Sequence, residues 1–307
     1  MSSKVPHITL NNGITIPQLG LGVWQAQDGD EVEKAVTAAI SAGYRSFDTA
    51  AVYGNEAGVG QAIAKSSVDR KELFITSKVW NSDQGYESTL KAFHHSLKLL
   101  GLDYIDMYLI HWPMPKTAKY LETWKAMEEL YNAGKIKVIG VCNFQIPHLQ
   151  NLIRHAKVLP ALNQIELHPY FPQLKLRQFC KDNGIAIESW SPIGGSGGAG
   201  ARASAEIPLL LQPDLVSIGK TYGKTPAQIV IRWHLQHDLI VIPKSVHEDR
   251  IKENIDVFDF HLSVHDMESI DALETGVRGG PNPDEFEINV KTSLIQRLHK
   301  IFKKIKF

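Results

Sequence analysis

Four residues suited to proton transfer stand on or just after consecutive apolar runs of this chain: Asp48, Tyr53 five residues later, Lys78 and His111. A tyrosine with its ordinary pKa near 10 is a poor acid and base at neutral pH, but a neighbouring ammonium stabilises its phenolate and lowers that value. Lys78 is the candidate ammonium. A buried lysine tends to lose its own proton, so a carboxylate such as Asp48 is needed to keep it charged. His111 completes the set by donating a hydrogen bond to a carbonyl oxygen, which polarises the carbon for hydride attack. Singly, each has a plain structural explanation: Asp48 caps a helix, Lys78 is a surface charge, His111 is one of 13 histidines. Structural roles alone rarely assemble all four together. No Cys-x-x-Cys or His-x-His spacing accompanies them, so no metal is expected.

Trp24, Trp80 and Trp112 follow three of the same runs, in GVWQ, KVWN and IHWP. They either pack the mouth of the fold or wall an apolar pocket. Three of six tryptophans on one rim favour the pocket.

These residues must be held by short apolar, β-branched runs that alternate with longer segments of helical period. Eight runs are present, at 19–23, 44–47, 73–78, 105–110, 136–141, 161–165, 185–190 and 239–242. Candidate helices lie between them at 30–42, 87–99, 119–132, 147–155 and 227–237, several closed by Gly. Eight repeats predict an α/β fold, a single (β/α)8 TIM barrel. Asp48, Lys78, His111, Asn143, Gln164, Trp190 and Lys244 all fall at or just past the carboxyl end of a run, the rim on which barrels build sites. Residues 7–10, Asn11-Asn12-Gly13 and 14–16 read as an N-terminal β-hairpin that plugs the barrel floor, because Asn-Gly tolerates the positive φ of a tight turn. GGSGGA at 194–199 lacks side chains to pack and reads as a mobile loop after the seventh run, or as a plain flexible linker. Loops near residues 24, 52, 80 and 276–286 are expected to shape the pocket.

Of 307 residues, 43% are hydrophobic and 21% charged, enough apolar material for one large core. Lys plus Arg and Asp plus Glu are both 33, so no overall charge argues for nucleic acid. Cys142 and Cys180 are the only cysteines, too few for a disulfide framework and in keeping with a cytoplasmic address. No stretch of about 18 apolar residues occurs, so no membrane span is expected.

The segments FDTAAVYGNE (47–56), TSKVW (76–80), IDMYLIHWP (105–113), GKIKVIGVCNF (134–144), NQIELHPY (163–170), ESWSPIG (188–194) and VIPKSVHEDRIKEN (241–254) resemble successive signatures of the aldo-keto reductase family. The resemblance covers nearly the whole chain, and the wording is similar to bacterial 2,5-diketo-gluconate and methylglyoxal reductases. It implies that Asp48, Tyr53, Lys78 and His111 are a catalytic tetrad, with Tyr53 the general acid in NADPH-dependent reduction of small aldehydes and ketones such as α-dicarbonyls and keto sugars. It implies further that Asn143 and Gln164, beside Cys142, hydrogen-bond the nicotinamide carboxamide, and that Trp190, followed by Ser191, stacks on the ring. Lys244, Ser245 and Arg250 would hold the 2′-phosphate, with Glu253 and Asn254 on the adenine and Val246 also in the cofactor site. Cationic donors at a helix start suit an anion, so the cofactor would be NADPH/NADP. The Rossmann fingerprint is absent, since Gly20-Leu21-Gly22 lacks the third glycine. Two positions depart from the pattern: Cys142 where serine is more frequent, and His247 where threonine is.

The barrel is expected to occupy 1–286, with 287–307 a separate basic, amphipathic extension. Residues 288–307 carry six Lys or Arg and no acid, leaving 27 basic against 33 acidic residues in the remainder. Val290, Leu294, Leu298, Ile301 and Ile305 fall near one helical face. Such a tail docks on the acidic body, frays, or makes peripheral contact with an anionic membrane or acidic partner. The expected protein is a monomer acting on a small-molecule carbonyl. The alternatives are a redox-sensing, partner-docking module on the same nucleotide, and a hydrolase or isomerase that uses none.

Overall fold

The computed structural model describes residues 5–195 and 207–287. β1 (His7–Thr9) and β2 (Thr15–Pro17) form the expected hairpin, antiparallel, with Ile8 opposite Ile16. Leu10 and Ile16 are buried with Phe74, Met107, Val138 and Leu162. Asn11 and Asn12 donate to the Pro160 and Lys137 carbonyls at 3.0 Å each, so the hairpin seals the amino-terminal end of the barrel.

Eight parallel strands follow: β3 (Leu21–Gly22), β4 (Ser46–Asp48), β5 (Phe74–Val79), β6 (Ile105–Ile110), β7 (Ile136–Cys142), β8 (Leu162–Glu166), β9 (Ala186–Trp190) and β10 (Ile240–Val241). Neighbours in the chain are neighbours in the sheet. Bridges from Leu19 to Val241 and from Gly22 to Lys244 close the ring between first and last strands. The shell contains α1 (Asp30–Ala42), α2 (Glu56–Lys65), α3 (Tyr86–Leu100), α4 (Tyr120–Asn132), α5 (Ile146–His155), α6 (Leu174–Asp182), α7 (Pro213–Tyr222), α8 (Pro226–Gln236), α9 (Glu248–Ile255) and α10 (Val264–Asp271).

The second barrel strand starts later than the apolar run at 44–47, ending on Asp48 rather than before it. α2 lies outside the segments chosen from the sequence because Gly58 and Gly60 each cost about 1 kcal/mol of helix propensity. Close packing requires them: a Cβ on Gly60 would run into the Leu100 carbonyl at the end of α3.

Two-residue alternation along each strand decides what enters the barrel. On β6, Tyr108 and Ile110 pack outward against the helices, while Met107 and Leu109 pack inward with the hairpin. On β5, Phe74 belongs to the interior cluster, which puts Lys78, four residues on, on the same face. On β9, Ala186 and Trp190 pack on that cluster, so Glu188 between them also faces inward. The floor of the interior is therefore apolar and its upper layer polar.

Among the described residues, no helix is long and apolar enough to cross a membrane. The GGSGGA segment is described only to Gly195 and the C-terminal extension only at Glu287; the rest of both lies outside the described residues.

Candidate active site

Lys78 is 0% exposed, and its ammonium has three acceptors: Asp48 Oδ1 at 2.6 Å, the Thr49 carbonyl at 3.0 Å and Tyr53 Oη at 3.4 Å. Burial by itself would strip its proton, but the Asp48 carboxylate, with Tyr53 behind it, holds its pKa above the usual lysine range. Lys78 is therefore charged.

Tyr53 ends a single 3-10 turn, Ala51–Tyr53, just past β4. Asn55 staples that loop. It accepts from Thr49 Oγ1 at 2.7 Å and donates to the Val23 and Ala26 carbonyls at 2.9 and 3.1 Å. Burial pushes the Tyr53 pKa well above that of an ordinary tyrosine; Lys78 pulls it down by less, and Asp48 adds to the rise. Lys78 thus acts in the expected direction, but burial outweighs it. At neutral pH Tyr53 is a protonated donor, and because its oxygen accepts from Lys78, its own hydrogen stays available.

His111 follows β6 and sits edge-on to Tyr53 and Trp80, with ring centroids 5.7 and 5.1 Å away. Burial, then the Lys78 charge, holds its imidazole well below the usual histidine range, so it is neutral. His111 Nδ1 and Trp80 Nε1 are both buried with no hydrogen-bond partner.

Trp80 and Trp112 converge through Phe286, at centroid distances of 6.5 and 4.3 Å. Trp24, expected to join them, is 41% exposed and makes no ring contact among the described residues. Phe286 lies on a C-terminal strap, 276–287, that Glu166 anchors by accepting from Gly279 N at 2.8 Å and Gly280 N at 2.9 Å. Glu287 and Asp284 tie it further, to Lys116 N at 2.8 Å and His148 Nε2 at 3.4 Å.

Asn143 Nδ2 donates to the His111 carbonyl at 3.0 Å, and Asn143 Oδ1 accepts from Trp190 Nε1 at 2.9 Å. Cys142 Sγ lies 3.1 Å from Asn143 Nδ2 and 3.6 Å from Gln164 Oε1, and burial pushes its thiol well above the usual range. Asn143 and Ser191 hold left-handed backbone, φ 65° and 50°. Such conformations cost about 1–3 kcal/mol and concentrate at functional sites.

Past β10, Ser245 Oγ accepts from His247 N at 3.1 Å, and Lys244 and Arg250 stand exposed around the start of α9, with Val246 half-buried between them. Asn254 is buried, and the Glu253 carboxylate is already taken by Thr225 Oγ1 at 2.7 Å, at the start of α8. All expected phosphate and adenine residues thus gather at one helix, though Glu253 is engaged elsewhere.

Sequence reasoning missed Glu188. It is buried, accepts from Gln164 Nε2 at 2.6 Å, and is pushed up to about 8 by burial and then by Asp48. Gln164 Nε2 also donates to Asp48 Oδ2 at 2.8 Å. Register links Glu188 directly to Gln164, and its place two residues before Trp190 was the available signal. Glu166, Asn55 and Phe286 were missed as well.

Elsewhere, a hollow of about 660 Å³ beside the hairpin is lined by His7, Arg45, Lys71 and Lys137, at the end of the barrel opposite this chemistry. Of its two carboxylates, Glu72 and Asp106, the latter is consumed by Arg70 at 2.6 Å and Lys137 at 3.0 Å. His261 and His265, four residues apart, are both exposed. Among the described residues no group of three His, Cys, Asp or Glu is arranged to hold a metal.

A parallel barrel whose carboxyl-end mouth joins a buried ion pair, a protonated tyrosine and a neutral histidine is of the class that moves protons at a polarised substrate oxygen. Residues 18–275 match the model of the Aldo/keto reductase family, and the chain belongs to that family. It is 52% identical over 279 residues to the 9,11-endoperoxide prostaglandin H2 reductase of Trypanosoma cruzi, covering 91% of this chain and 95% of that protein. It is also 52% identical over 279 residues to methylglyoxal reductase DkgA of Escherichia coli O157:H7, covering 91% and 97%. Its fold matches the crystal structure of a Gox0644 mutant in complex with NADPH at a TM-score of 0.85 and 43% identity, covering 93% of this chain and all of that one.

Proposed function

We propose that the chain reduces small aldehydes and ketones to alcohols with NADPH, Tyr53 giving the proton. The observation that carries this is the buried line from Asp48 through Lys78 to the Tyr53 hydroxyl, beside an uncharged His111. Asp48 keeps Lys78 charged. His111 donates a hydrogen bond to the substrate oxygen, and Tyr53 transfers its proton to that oxygen as charge develops there. The phenolate left behind is stabilised by Lys78 until solvent reprotonates it.

NADPH, when bound, supplies the hydride to the carbonyl carbon. Asn143 and Gln164 would hold its carboxamide and Trp190 its ring, with Cys142 and Ser191 alongside. Lys244, Ser245 and Arg250 would hold the 2′-phosphate, with Val246 alongside and Asn254 and Glu253 toward the adenine. The strained backbone at Asn143 and Ser191 supports a ligand held there, and the related Gox0644 mutant is a complex with NADPH. Trp80, Trp112 and Phe286 offer an aromatic wall suited to compact carbonyls such as α-dicarbonyls.

The test is to titrate the protein with NADPH and NADH by quenching of tryptophan fluorescence, then add methylglyoxal and follow absorbance of the reduced cofactor. Tighter binding of NADPH than NADH, followed by oxidation, is expected. Absence of nucleotide binding, or binding without turnover across a panel of carbonyls, would contradict the proposal.

A further inference from the structure

We propose that Glu188 is a positioning residue that, together with Asp48, locks the side-chain amide of Gln164 so that only its oxygen is offered to the nicotinamide carboxamide. The inference rests on the function proposed above. Gln164 Nε2 stands 2.6 Å from Glu188 Oε2 and 2.8 Å from Asp48 Oδ2, and all three side chains are buried. Asp48, the carboxylate paired with Lys78, can only accept, so the edge between the two carboxyls is the NH2, with its second hydrogen on Glu188 Oε2.

The Gln164 oxygen is thereby turned to the opposite edge. Its donor there is the Cys142 thiol at 3.6 Å, a weak donor at long range. The neighbouring amide differs: Asn143 has Nδ2 on the His111 carbonyl at 3.0 Å and Oδ1 under Trp190 Nε1 at 2.9 Å. Gln164 thus has the less satisfied oxygen of the pair, and a carboxamide brings the N–H that would fill it. Burial and Asp48 push the Glu188 carboxyl up, and its Oε2 accepts from the amide while Asp48 stays paired with Lys78. With Asp48 as sole anchor, the amide could swing about a single hydrogen bond, and its oxygen would no longer be aimed.

The experiment compares the binding of NADPH with that of its reduced 3-acetylpyridine analogue, by fluorescence quenching, in wild type, Q164L, E188M and E188D. The analogue keeps a carbonyl but has a methyl where the carboxamide has its N–H donors. Wild type is expected to prefer NADPH by about tenfold, and Q164L to lose nearly all of that preference. E188M removes one anchor and E188D withdraws it by a methylene. Both are expected to bring the preference below about threefold while still binding the analogue. A merely structural role for Glu188 would weaken both ligands alike and leave the ratio unchanged, so a wild-type ratio in E188D, or in folded E188M, overturns the proposal. A wild-type preference surviving in Q164L overturns it too. Failure of wild type to bind NADPH would remove the function itself, a result distinct from any change of ratio.

Discussion

Lys78 Nζ and Asp48 Oδ1 meet at 2.6 Å with side chains 0% and 4% exposed, an ion pair sealed inside the barrel. Two buried charges stabilise a fold little over apolar replacements, but removing one partner strands the other. Lys78→Met should lower unfolding free energy by about 3–5 kcal/mol in a urea titration. Combining it with Asp48→Asn should recover most of that loss. A Lys78→Met protein as stable as wild type would mean that Asp48 is not held as a buried anion.

Glu188 makes a pH prediction. Its carboxyl is pushed from 4.5 up to about 8 by burial and by Asp48, so between those values the folded protein keeps a proton that the unfolded chain has released. The state binding more protons loses ground as pH rises, so this group's contribution falls from about pH 4.5 to about pH 8 and is level above. Glu188→Gln removes the group. Its urea midpoint, plotted over that window, should decline less steeply than wild type; parallel profiles would place the perturbed carboxyl elsewhere.

The Glu188 example also shows how far the sequence could be read. Asp48, Lys78 and Gln164 were legible because each sits on a recognisable apolar run, and period-two alternation turns them inward. The same alternation, counted back from Trp190, marks Glu188 as interior, so that omission was avoidable. The Glu166 anchor was not legible, since it joins residues 113 and 114 positions apart through backbone N–H groups that carry no sequence signature. Nor was the balance at Tyr53, where Lys78 acts in the expected direction but burial, a property of the packed fold, outweighs it.

Phe286 closes the mouth through Trp112, 4.3 Å away between centroids. An aromatic contact of this kind is worth about 0.5–1.5 kcal/mol beyond its area. Phe286→Ala should therefore raise KM for small carbonyls by roughly tenfold and leave kcat within about threefold. Steady-state kinetics decide it: an unchanged KM would put the strap outside the substrate's reach.

Gly280 rests on Trp190, where an added Cβ would stand 2.5 Å from the indole and 3.1 Å from Glu166 Oε2. Gly280→Ala must move the strap or the ring, at a cost of about 1–3 kcal/mol. A lower melting temperature with kcat/KM reduced about tenfold is expected. Wild-type values for both would show that the strap yields freely.

Tyr53→Phe removes only the hydroxyl facing Lys78 at 3.4 Å and keeps the ring. Fluorescence titration of this variant should give NADPH affinity within about twofold of wild type, while methylglyoxal turnover, followed by cofactor absorbance, falls by about a hundredfold or more. Turnover within tenfold of wild type would contradict Tyr53 as the proton donor, and with it the chemistry assigned to this site.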